Sequence, residues 1–195
     1  FLKIKRTDKR FNTIEEAIEA LKGREMLIVL DDEERENEGD FVMAAEAISP
    51  AAINFMAKEG RGLICVPVDS DIADRLEFSP MVSESREANK CNFTVSVDLQ
   101  VGTTTGISAS DRAKTVKAIA DYSSSAGDFL RPGHIFPLRA KAGGVLVRAG
   151  HTEAAVDLGR FAGFAPAAVI CEIAREDGEM MRRDELLAFA KKHNL

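Results

Sequence analysis

Short apolar runs alternate with polar segments along the whole chain, and this pattern predicts several strands and helices of ordinary length. The segment Thr13-Ile14-Glu15-Glu16 has the form of a capping box and precedes apolar residues at helical spacing, so we expect a helix that ends at Gly23. Ser49-Pro50 predicts the start of a second helix, over about 50–59. Further helices are predicted from Ser108 or Ser110 to about 122, from about 152 to just before Gly163, and over 183–192.

Strands are predicted where β-branched or alternating apolar residues lie between turn signals. These segments are residues 26–30, 41–45, 63–67, 93–97, 134–138, 145–148 and 167–173. Residues 69–92 are polar and weakly patterned, and we expect a short helix and a long loop there. Because neighbouring strands and strand–helix alternation both occur, the order predicts an α+β fold: a single domain with a mixed β-sheet and helices packed around it.

Charge and cysteine content narrow the classes of function. The net charge is −6, so the chain lacks the basic surface that nucleic-acid binding requires, although a few local arginines suffice for a small phosphate. Three widely spaced cysteines predict reduced thiols in a cytoplasmic protein, with Cys65 and Cys171 in the core. No apolar stretch reaches the roughly 18 residues of a membrane span, and residues 1–6 do not resemble a signal peptide. We therefore expect no membrane partner.

Residues 31–40 form a dense acidic run in which seven of ten side chains are acidic. Such a run is often only a solvated surface. Here strands are predicted on both sides, so the loop is short and its like charges repel one another at close range. A bound Mg²⁺ or Mn²⁺ ion would relieve that repulsion, and Arg35 within the run could hold an anionic substrate beside the metal.

The segment Arg148-Ala149-Gly150-His151-Thr152-Glu153 lies at the predicted entrance to a helix. Free amides at a helix N-terminus bind phosphate, Arg148 adds a bidentate donor, and Thr152 adds a hydroxyl. His151 could ligate a metal or transfer protons. The alternative interpretation is that Thr152 is merely an N-cap.

Two other positions combine a reactive side chain with a restrained setting. His134 follows Arg131-Pro132-Gly133, which we interpret as a rigid turn that presents the imidazole at the start of a strand. A histidine with a purely structural role is the alternative. Glu172 is flanked by apolar residues, and a buried carboxyl group there would suit a general base near neutral pH. The alternative is a strand-end glutamate that points into water.

Six segments, in order, resemble the signatures of 3,4-dihydroxy-2-butanone 4-phosphate synthases. They are the acidic run 32–40, Thr104-Thr105-Gly106-Ile107-Ser108-Ala109 with Asp111-Arg112, and the segments 131–139, 143–146, 150–154 and 171–173. Each segment alone is weak, whereas the ordered set covers nearly the whole chain. The resemblance implies a lyase of riboflavin biosynthesis that converts D-ribulose 5-phosphate to L-3,4-dihydroxy-2-butanone 4-phosphate and formate. The implied steps are metal-assisted enolisation, dehydration, skeletal rearrangement and loss of formate.

The resemblance also implies roles for individual residues. Glu36 and His151 would hold the divalent metal, Mg²⁺ or Mn²⁺, with two ions at each site. His134 and Glu172 would be the residues most needed for catalysis. Ribulose 5-phosphate would contact a larger set: Arg35, Glu36, Asp40, Arg148, Thr152 and Glu172. Similar proteins are homodimers with sites near the subunit interface, so we expect a homodimer.

Similar proteins usually continue into a further strand and helix, and some are fused there to a GTP cyclohydrolase II domain. We therefore interpret residues 1–195 as one synthase domain, either short at its C-terminal end or separated from such a fusion. Three rival functions stay open. They are a metal- or sugar-phosphate-binding paralogue without turnover, a structural subunit whose acidic loop binds a basic partner, and another phosphosugar enzyme such as an isomerase or aldolase.

Overall fold

The computed structural model describes residues 10–84 and 91–195, so residues 1–6 and part of the loop expected within 69–92 lie outside it. Within these residues six α-helices occur: α1 Ile14–Lys22, α2 Pro50–Phe55, α3 Ser70–Arg75, α4 Ala109–Ala120, α5 His151–Phe161 and α6 Arg183–His193. The strands are β1 Leu27–Leu30, β2 Gly39–Ala44, β3 Cys65–Val68, β4 Val97–Leu99, β5 Phe129–Arg139 and β6 Ala168–Glu172.

The strands form one mixed sheet in the order β1-β2-β6-β3-β5-β4. Strands β3 and β5 run parallel, and the other neighbouring strands pair antiparallel. This topology confirms the predicted α+β fold with a mixed sheet. The register pairs Asp40 of β2 directly with Glu172 of β6, so these two side chains lie on the same face of the sheet at adjacent positions.

Local sequence signals account for most helix boundaries. The predicted capping box of α1 is present, because the Thr13 amide donates to Glu16 at 2.8 Å and the Glu16 amide donates to Thr13 at 3.2 Å. Ser49 caps α2 ahead of Pro50, and a π-helical segment, Met56–Gly60, continues that helix over the predicted range. Ser108, rather than Ser110, caps α4.

The strand predicted over 145–148 is wrong. The segment Gly144–Leu146 forms a 3-10 turn instead, and Leu146 is 95% exposed. Gly143 and Gly144 adopt left-handed φ values of 93° and 61°, which turn the chain away from an extended course. The apolar residues that suggested a strand therefore lie on a surface turn.

The strand predicted over 93–97 is only partly confirmed. Phe93 and Thr94 form isolated bridges, to Leu138 and Pro80 respectively, and the ladder of β4 begins only at Val97. Burial does not follow the alternation either, because the polar Thr94 and Ser96 are buried whereas the apolar Phe93 and Val95 are only partly buried. Continuous pairing with a neighbouring strand does not follow from that alternation.

The segment Arg131-Pro132-Gly133-His134 lies inside a strand, so the prediction of a turn at the start of a strand is wrong. Val97 of β4 pairs with Ile135, whereas the next residue, Asp98, pairs with Leu130. Residues 131–134 are therefore left outside the ladder as a bulge in β5, within which the Arg131–Pro132 peptide bond is cis. The bulge re-aims His134 away from the regular course of the strand.

Helices cover both faces of the central strands. One face, which includes Phe41 and Val66, packs against α2 and α4, and the other, which includes Val42 and Cys65, packs against α5. Cys65 and Cys171 are buried, as predicted, and no cysteine of the described residues forms a disulfide. None of the helices in residues 10–84 and 91–195 is both long and apolar enough to cross a bilayer.

Candidate active site

The acidic loop between β1 and β2 is folded around the carboxylate of Asp31. Asp31 Oδ2 accepts from the Glu36 amide at 3.1 Å, and Asp31 Oδ1 accepts from the Glu38 amide at 3.0 Å. The Arg35 guanidinium donates to Asp31 Oδ2 at 2.6 Å and to Glu36 Oε2 at 2.8 Å. These charge-assisted bonds hold a run of mutually repelling side chains in one compact conformation.

This loop meets His151, the buried first residue of α5. His151 Nδ1 lies 3.6 Å from Glu36 Oε2 and 3.8 Å from Asp40 Oδ1. Asp31, Glu36 and His151 each offer one ligand atom, and these atoms lie within 4.8 Å of one another. Two carboxylates and an imidazole at this spacing are a donor set for Mg²⁺ or Mn²⁺, whose other coordination positions would be filled by water or substrate.

Two buried atoms beside this cluster, Asp40 Oδ1 and His151 Nε2, have no hydrogen-bond partner among the described residues. Burial raises the pKa of Asp40 to about 7, with the charges of Glu172 and Glu36 adding to the shift and His151 opposing it. The neighbouring His151 and the charge of Arg35 lower the pKa of Glu36, so Glu36 is ionised at neutral pH. An ionised carboxylate next to unsatisfied buried polar atoms fits a bound cation.

Glu172 ends β6 directly opposite Asp40 and is partly buried. Its Oε2 accepts from the Leu63 amide at 2.8 Å, so the carboxylate lies neither in the apolar core nor free in water. The backbone of Gly62 approaches so closely that a Cβ there would lie 2.6 Å from Glu172 Oε2. The glycine and the amide therefore hold the carboxylate in one direction at the edge of the site.

Two guanidinium groups converge on the N-terminus of α5. A Cβ on Gly150, the N-cap residue, would lie 2.5 Å from Arg148 Nη1 and 3.1 Å from Arg35 Nη2. Free amides of the first helical turn are directed to the same place. Cationic side chains and a helix N-terminus together form a site suited to a phosphate group.

The first turn of α5 carries two further buried polar residues. Thr152 is the second helical residue, not the N-cap, so its interpretation as a simple cap is wrong; its hydroxyl lies 3.8 Å from Cys91 Sγ. Glu153 is 1% exposed, and its Oε1 accepts from the Lys141 amide at 2.9 Å. Its other oxygen, Oε2, accepts from Arg148 Nη1 at 2.6 Å.

His134 lies in a second cluster, in the bulge of β5. Its Nδ1 is 2.7 Å from Asp98 Oδ2, and its backbone amide donates to Asp98 Oδ1 at 2.9 Å. Cys65 of β3 pairs on one side with Phe136, which is two residues after His134. On the other side it pairs with Ile170, which is two residues before Glu172. His134 and Glu172 are thus at the same end of the sheet, two strands or roughly 10 Å apart. No hydrogen bond within the described residues joins His134 to the acidic loop.

Seven of the eight residues singled out from the sequence therefore gather in one place, and His134 stands apart from them. The seven lie on the acidic loop, the adjoining ends of β2 and β6, and the start of α5: Arg35, Glu36, Asp40, Arg148, His151, Thr152 and Glu172. Three carboxylates that organise the site were not distinguished in advance. Asp31 and Glu153 lay inside motifs whose acidic residues all looked alike, and Asp98 lay beside an apolar alternation without any motif.

Comparison with known sequences identifies the family. A sequence model described as 3,4-dihydroxy-2-butanone 4-phosphate synthase matches residues 15–195. The chain is 58% identical over 185 residues to the riboflavin biosynthesis protein RibBA of Bacillus subtilis, covering 95% of this chain and 46% of that protein. It is 54% identical over 184 residues to the 3,4-dihydroxy-2-butanone 4-phosphate synthase of Wolinella succinogenes, covering 94% of this chain and 53% of that protein. The chain thus spans about half the length of these curated relatives.

Solved structures support the same family assignment. A crystal structure of 3,4-dihydroxy-2-butanone 4-phosphate synthase in complex with two magnesium ions has a TM-score of 0.92 and 43% identity, covering 95% of this chain and 91% of that chain. RibBX, a two-domain synthase from A. baumannii, has a TM-score of 0.91 and 46% identity, covering 94% of this chain and 54% of that chain. By sequence and by fold, the chain belongs to the 3,4-dihydroxy-2-butanone 4-phosphate synthase family.

Proposed function

We propose that this chain converts D-ribulose 5-phosphate to L-3,4-dihydroxy-2-butanone 4-phosphate and formate, as a lyase of riboflavin biosynthesis. The proposal rests on one arrangement. The donor cluster of Asp31, Glu36 and His151 adjoins the arginines at the start of α5 and lies beside the paired carboxyl groups of Asp40 and Glu172. A phosphorylated ketose that undergoes enolisation needs these three features: a phosphate site, a cation and a base.

The phosphate group would bind at the N-terminus of α5, between the guanidinium groups of Arg148 and Arg35 and next to the hydroxyl of Thr152. The sugar oxygens would then lie toward Glu36 and Asp40. Because the phosphate is held by charge-assisted bonds at one end, the reacting carbons are positioned over the carboxyl groups at the other.

The metal would be held by Glu36 and His151, with Asp31 next to them. When bound, Mg²⁺ or Mn²⁺ supplies a Lewis acid that stabilises negative charge on the oxygens of the enediol. The relative solved with two magnesium ions supports two ions at each site. In this chain, the buried atoms Asp40 Oδ1 and His151 Nε2 have no hydrogen-bond partner among the described residues, which supports a cation beside them.

The acid–base work falls to Asp40, Glu172 and His134. The first step removes a proton next to the ketone, and a carboxyl group beside the substrate can accept that proton and return it in a later step. Glu172 is held by the Leu63 amide through Oε2, so the direction of its other oxygen is defined. The water lost in the dehydration is taken up again when formate leaves, so the atoms of the substrate are all accounted for in the two products.

We further propose that residues 1–195 form one synthase domain, either short at its C-terminal end or separated from a fused domain, and that this domain works in the cytoplasm as a homodimer. Val101, Ile107 and Leu130 are 77%, 53% and 49% exposed around the Asp98–His134 pair, and a second copy would cover them. The absence of disulfides among the described residues fits a reducing compartment. The net charge of −6 supports a small-molecule substrate rather than a nucleic-acid partner. Light scattering on the purified protein tests the dimer, and a monomer at micromolar concentration would contradict it.

The reaction is tested by incubation of the protein with ribulose 5-phosphate and Mg²⁺, with and without EDTA, and measurement of formate. We expect metal-dependent formate in equal amount to the four-carbon phosphate. Glu36→Gln should lower formate release by about 10²-fold or more, whereas Glu34→Gln, an exposed neighbour in the same loop, should not. Substrate binding without formate would favour a paralogue without turnover, and a pentose phosphate product would favour another phosphosugar enzyme.

A further inference from the structure

One signature of the sequence, residues 104–112, has no place in the chemistry proposed above, yet it packs against the carboxylate that holds His134. We propose that Asp98 is a positioning residue that keeps the His134 imidazole in a single tautomer, with Nδ1 protonated and Nε2 available as the base. We also propose that the segment 104–111, a loop and the first turn of α4, locks Asp98 in this position. The inference rests on the proposed acid–base role of His134.

Asp98 contacts His134 at two points. Oδ2 lies 2.7 Å from Nδ1, and Oδ1 accepts from the backbone amide of the same histidine at 2.9 Å. An ionised carboxylate can only accept, so the Nδ1 of a neutral imidazole paired with it must bear the proton. The lone pair of that neutral ring is then on Nε2. The Asp98 side chain is 10% exposed, whereas the His134 side chain is 42% exposed, so the anchored ring still reaches solvent or substrate.

The segment 104–111 packs directly against the carboxylate of Asp98. Gly106 has a left-handed φ of 91°, and a Cβ there would lie 2.0 Å from Asp98 Oδ2. Asp111 Oδ2 holds the loop in this position, since it accepts from the Thr104 amide at 3.1 Å, the Thr104 hydroxyl at 2.6 Å and the Gly106 amide at 3.2 Å. Any larger side chain than glycine at position 106 would push Asp98 out of place.

A second glycine, Gly133, allows the backbone of β5 to approach the backbone of β4 at Asp98. A Cβ on Gly133 would lie 2.1 Å from the Val97 carbonyl carbon and 2.3 Å from the Asp98 nitrogen, so the bulge of β5 lies directly on the backbone of β4. The Gly133 amide also donates to Ser96 Oγ at 3.1 Å. Two glycines from separate signatures therefore pack against Asp98, Gly106 on its carboxylate and Gly133 on its backbone. Both signatures, 104–112 and 131–139, would then serve one requirement, which is to fix the direction of the His134 ring.

A merely structural Asp98 would serve as an acceptor for the backbone of the bulge and nothing more. The substitution Asp98→Asn separates the two roles, because the amide oxygen can still accept from the His134 backbone. Its NH₂ group, however, can only donate to Nδ1, which moves the ring proton to Nε2. The ring then loses its basic Nε2 although the bulge keeps its hydrogen bond.

Nuclear magnetic resonance of the ring nitrogens tests the tautomer without reference to activity. The chain has three histidines, so the signals of His134 can be assigned with one His134→Gln variant. At alkaline pH we expect Nδ1–H and unprotonated Nε2 in the wild-type protein, and the reverse in Asp98→Asn. The same tautomer in both proteins, or Nε2–H already in the wild type, would overturn the inference. Gly106→Ala is the second variant, and it should give mixed tautomers because it displaces Asp98.

Kinetics separate this inference from the proposed function. We expect Asp98→Asn to lower kcat for formate release by about 10²- to 10⁴-fold while KM for ribulose 5-phosphate changes less than about twofold. Asp128→Asn, at an exposed aspartate just before β5, the strand that carries His134, is the matched control and should keep wild-type kcat. If His134→Gln abolishes turnover and Asp98→Asn does not, the positioning role is wrong and the proposed function stands. If the wild type releases no formate, the proposed function fails, and the tautomer still decides the role of Asp98.

Discussion

Arg148 and Glu153 form a buried ion pair at the start of α5, in which their side chains are 14% and 1% exposed and Arg148 Nη1 lies 2.6 Å from Glu153 Oε2. The other oxygen of Glu153 accepts from the Lys141 amide at 2.9 Å. One carboxylate therefore joins both ends of the 141–148 loop to the first turn of the helix. The direction of the Arg148 guanidinium, and with it the proposed phosphate site, depends on a residue that would itself not touch the substrate.

The Glu153→Gln variant should weaken both the fold and substrate binding. A neutral amide leaves the buried Arg148 charge uncompensated, so we expect a loss of about 3 kcal/mol in the free energy of unfolding, measured by urea denaturation. KM for ribulose 5-phosphate should rise more than kcat falls. Asp157→Asn is the control, because Asp157 accepts from the Val145 amide of the same loop at 2.9 Å, one helical turn further on. Equal KM values in the two variants would contradict this role for Glu153.

Divalent cations should stabilise the protein through the Asp31–Glu36–His151 cluster. Mg²⁺ at one hundred times its dissociation constant should add about 2.7 kcal/mol to the free energy of unfolding, because it binds the folded state alone. Differential scanning calorimetry with Mg²⁺ and with EDTA measures this difference as a shift in Tm. The shift should vanish in Glu36→Gln and persist in Glu34→Gln. A shift of the same size in both variants would place the cation elsewhere.

Replacement of Glu172 by Gln should abolish formate release and leave the fold intact. The amide oxygen can still accept from Leu63, whose amide lies 2.8 Å from Glu172 Oε2, but it cannot take up a proton as a carboxylate does. We expect kcat to fall by about 10²-fold or more and Tm to change by only a few degrees. Glu176→Gln, on the exposed turn after β6, is the control. Near-normal turnover in Glu172→Gln would remove Glu172 from the catalytic set.

Asp111 should make the fold sensitive to acid. The hydrogen bond from the Thr104 hydroxyl, together with those from the Thr104 and Gly106 amides, lowers the pKa of Asp111 below its ordinary value of 3.8. A lowered folded-state pKa gives stability that is present above the unfolded pKa and is lost as the pH falls through the folded pKa. Below a pH of about 4, the urea midpoint of the wild type should therefore fall more steeply than that of Asp111→Asn. Parallel pH profiles would show that these bonds form equally well with the protonated acid.

Local signals in the sequence were good guides to where helices begin. Thr13 with Glu16, and Ser49 with Pro50, identified two helix starts that the structure confirms. The failures at 145–148 and 131–134 have one cause in common. In both places glycines permit a backbone conformation that the neighbouring apolar residues do not predict. Contacts with distant chain segments set the direction of the backbone there.

The sequence by itself determined the α+β class, the caps of the helices, and the acidic and basic residues available for a site. These depend on chain composition and on interactions between residues only a few positions apart. Only the tertiary structure decided which partner each carboxylate contacts. Glu172 reaches the amide of Leu63, 109 residues away, and Asp98 reaches His134, 36 residues away. Such partners are set by strand order, register and the close approach of glycine backbones, because a carboxylate has the same chemistry in every motif until its neighbours are in place.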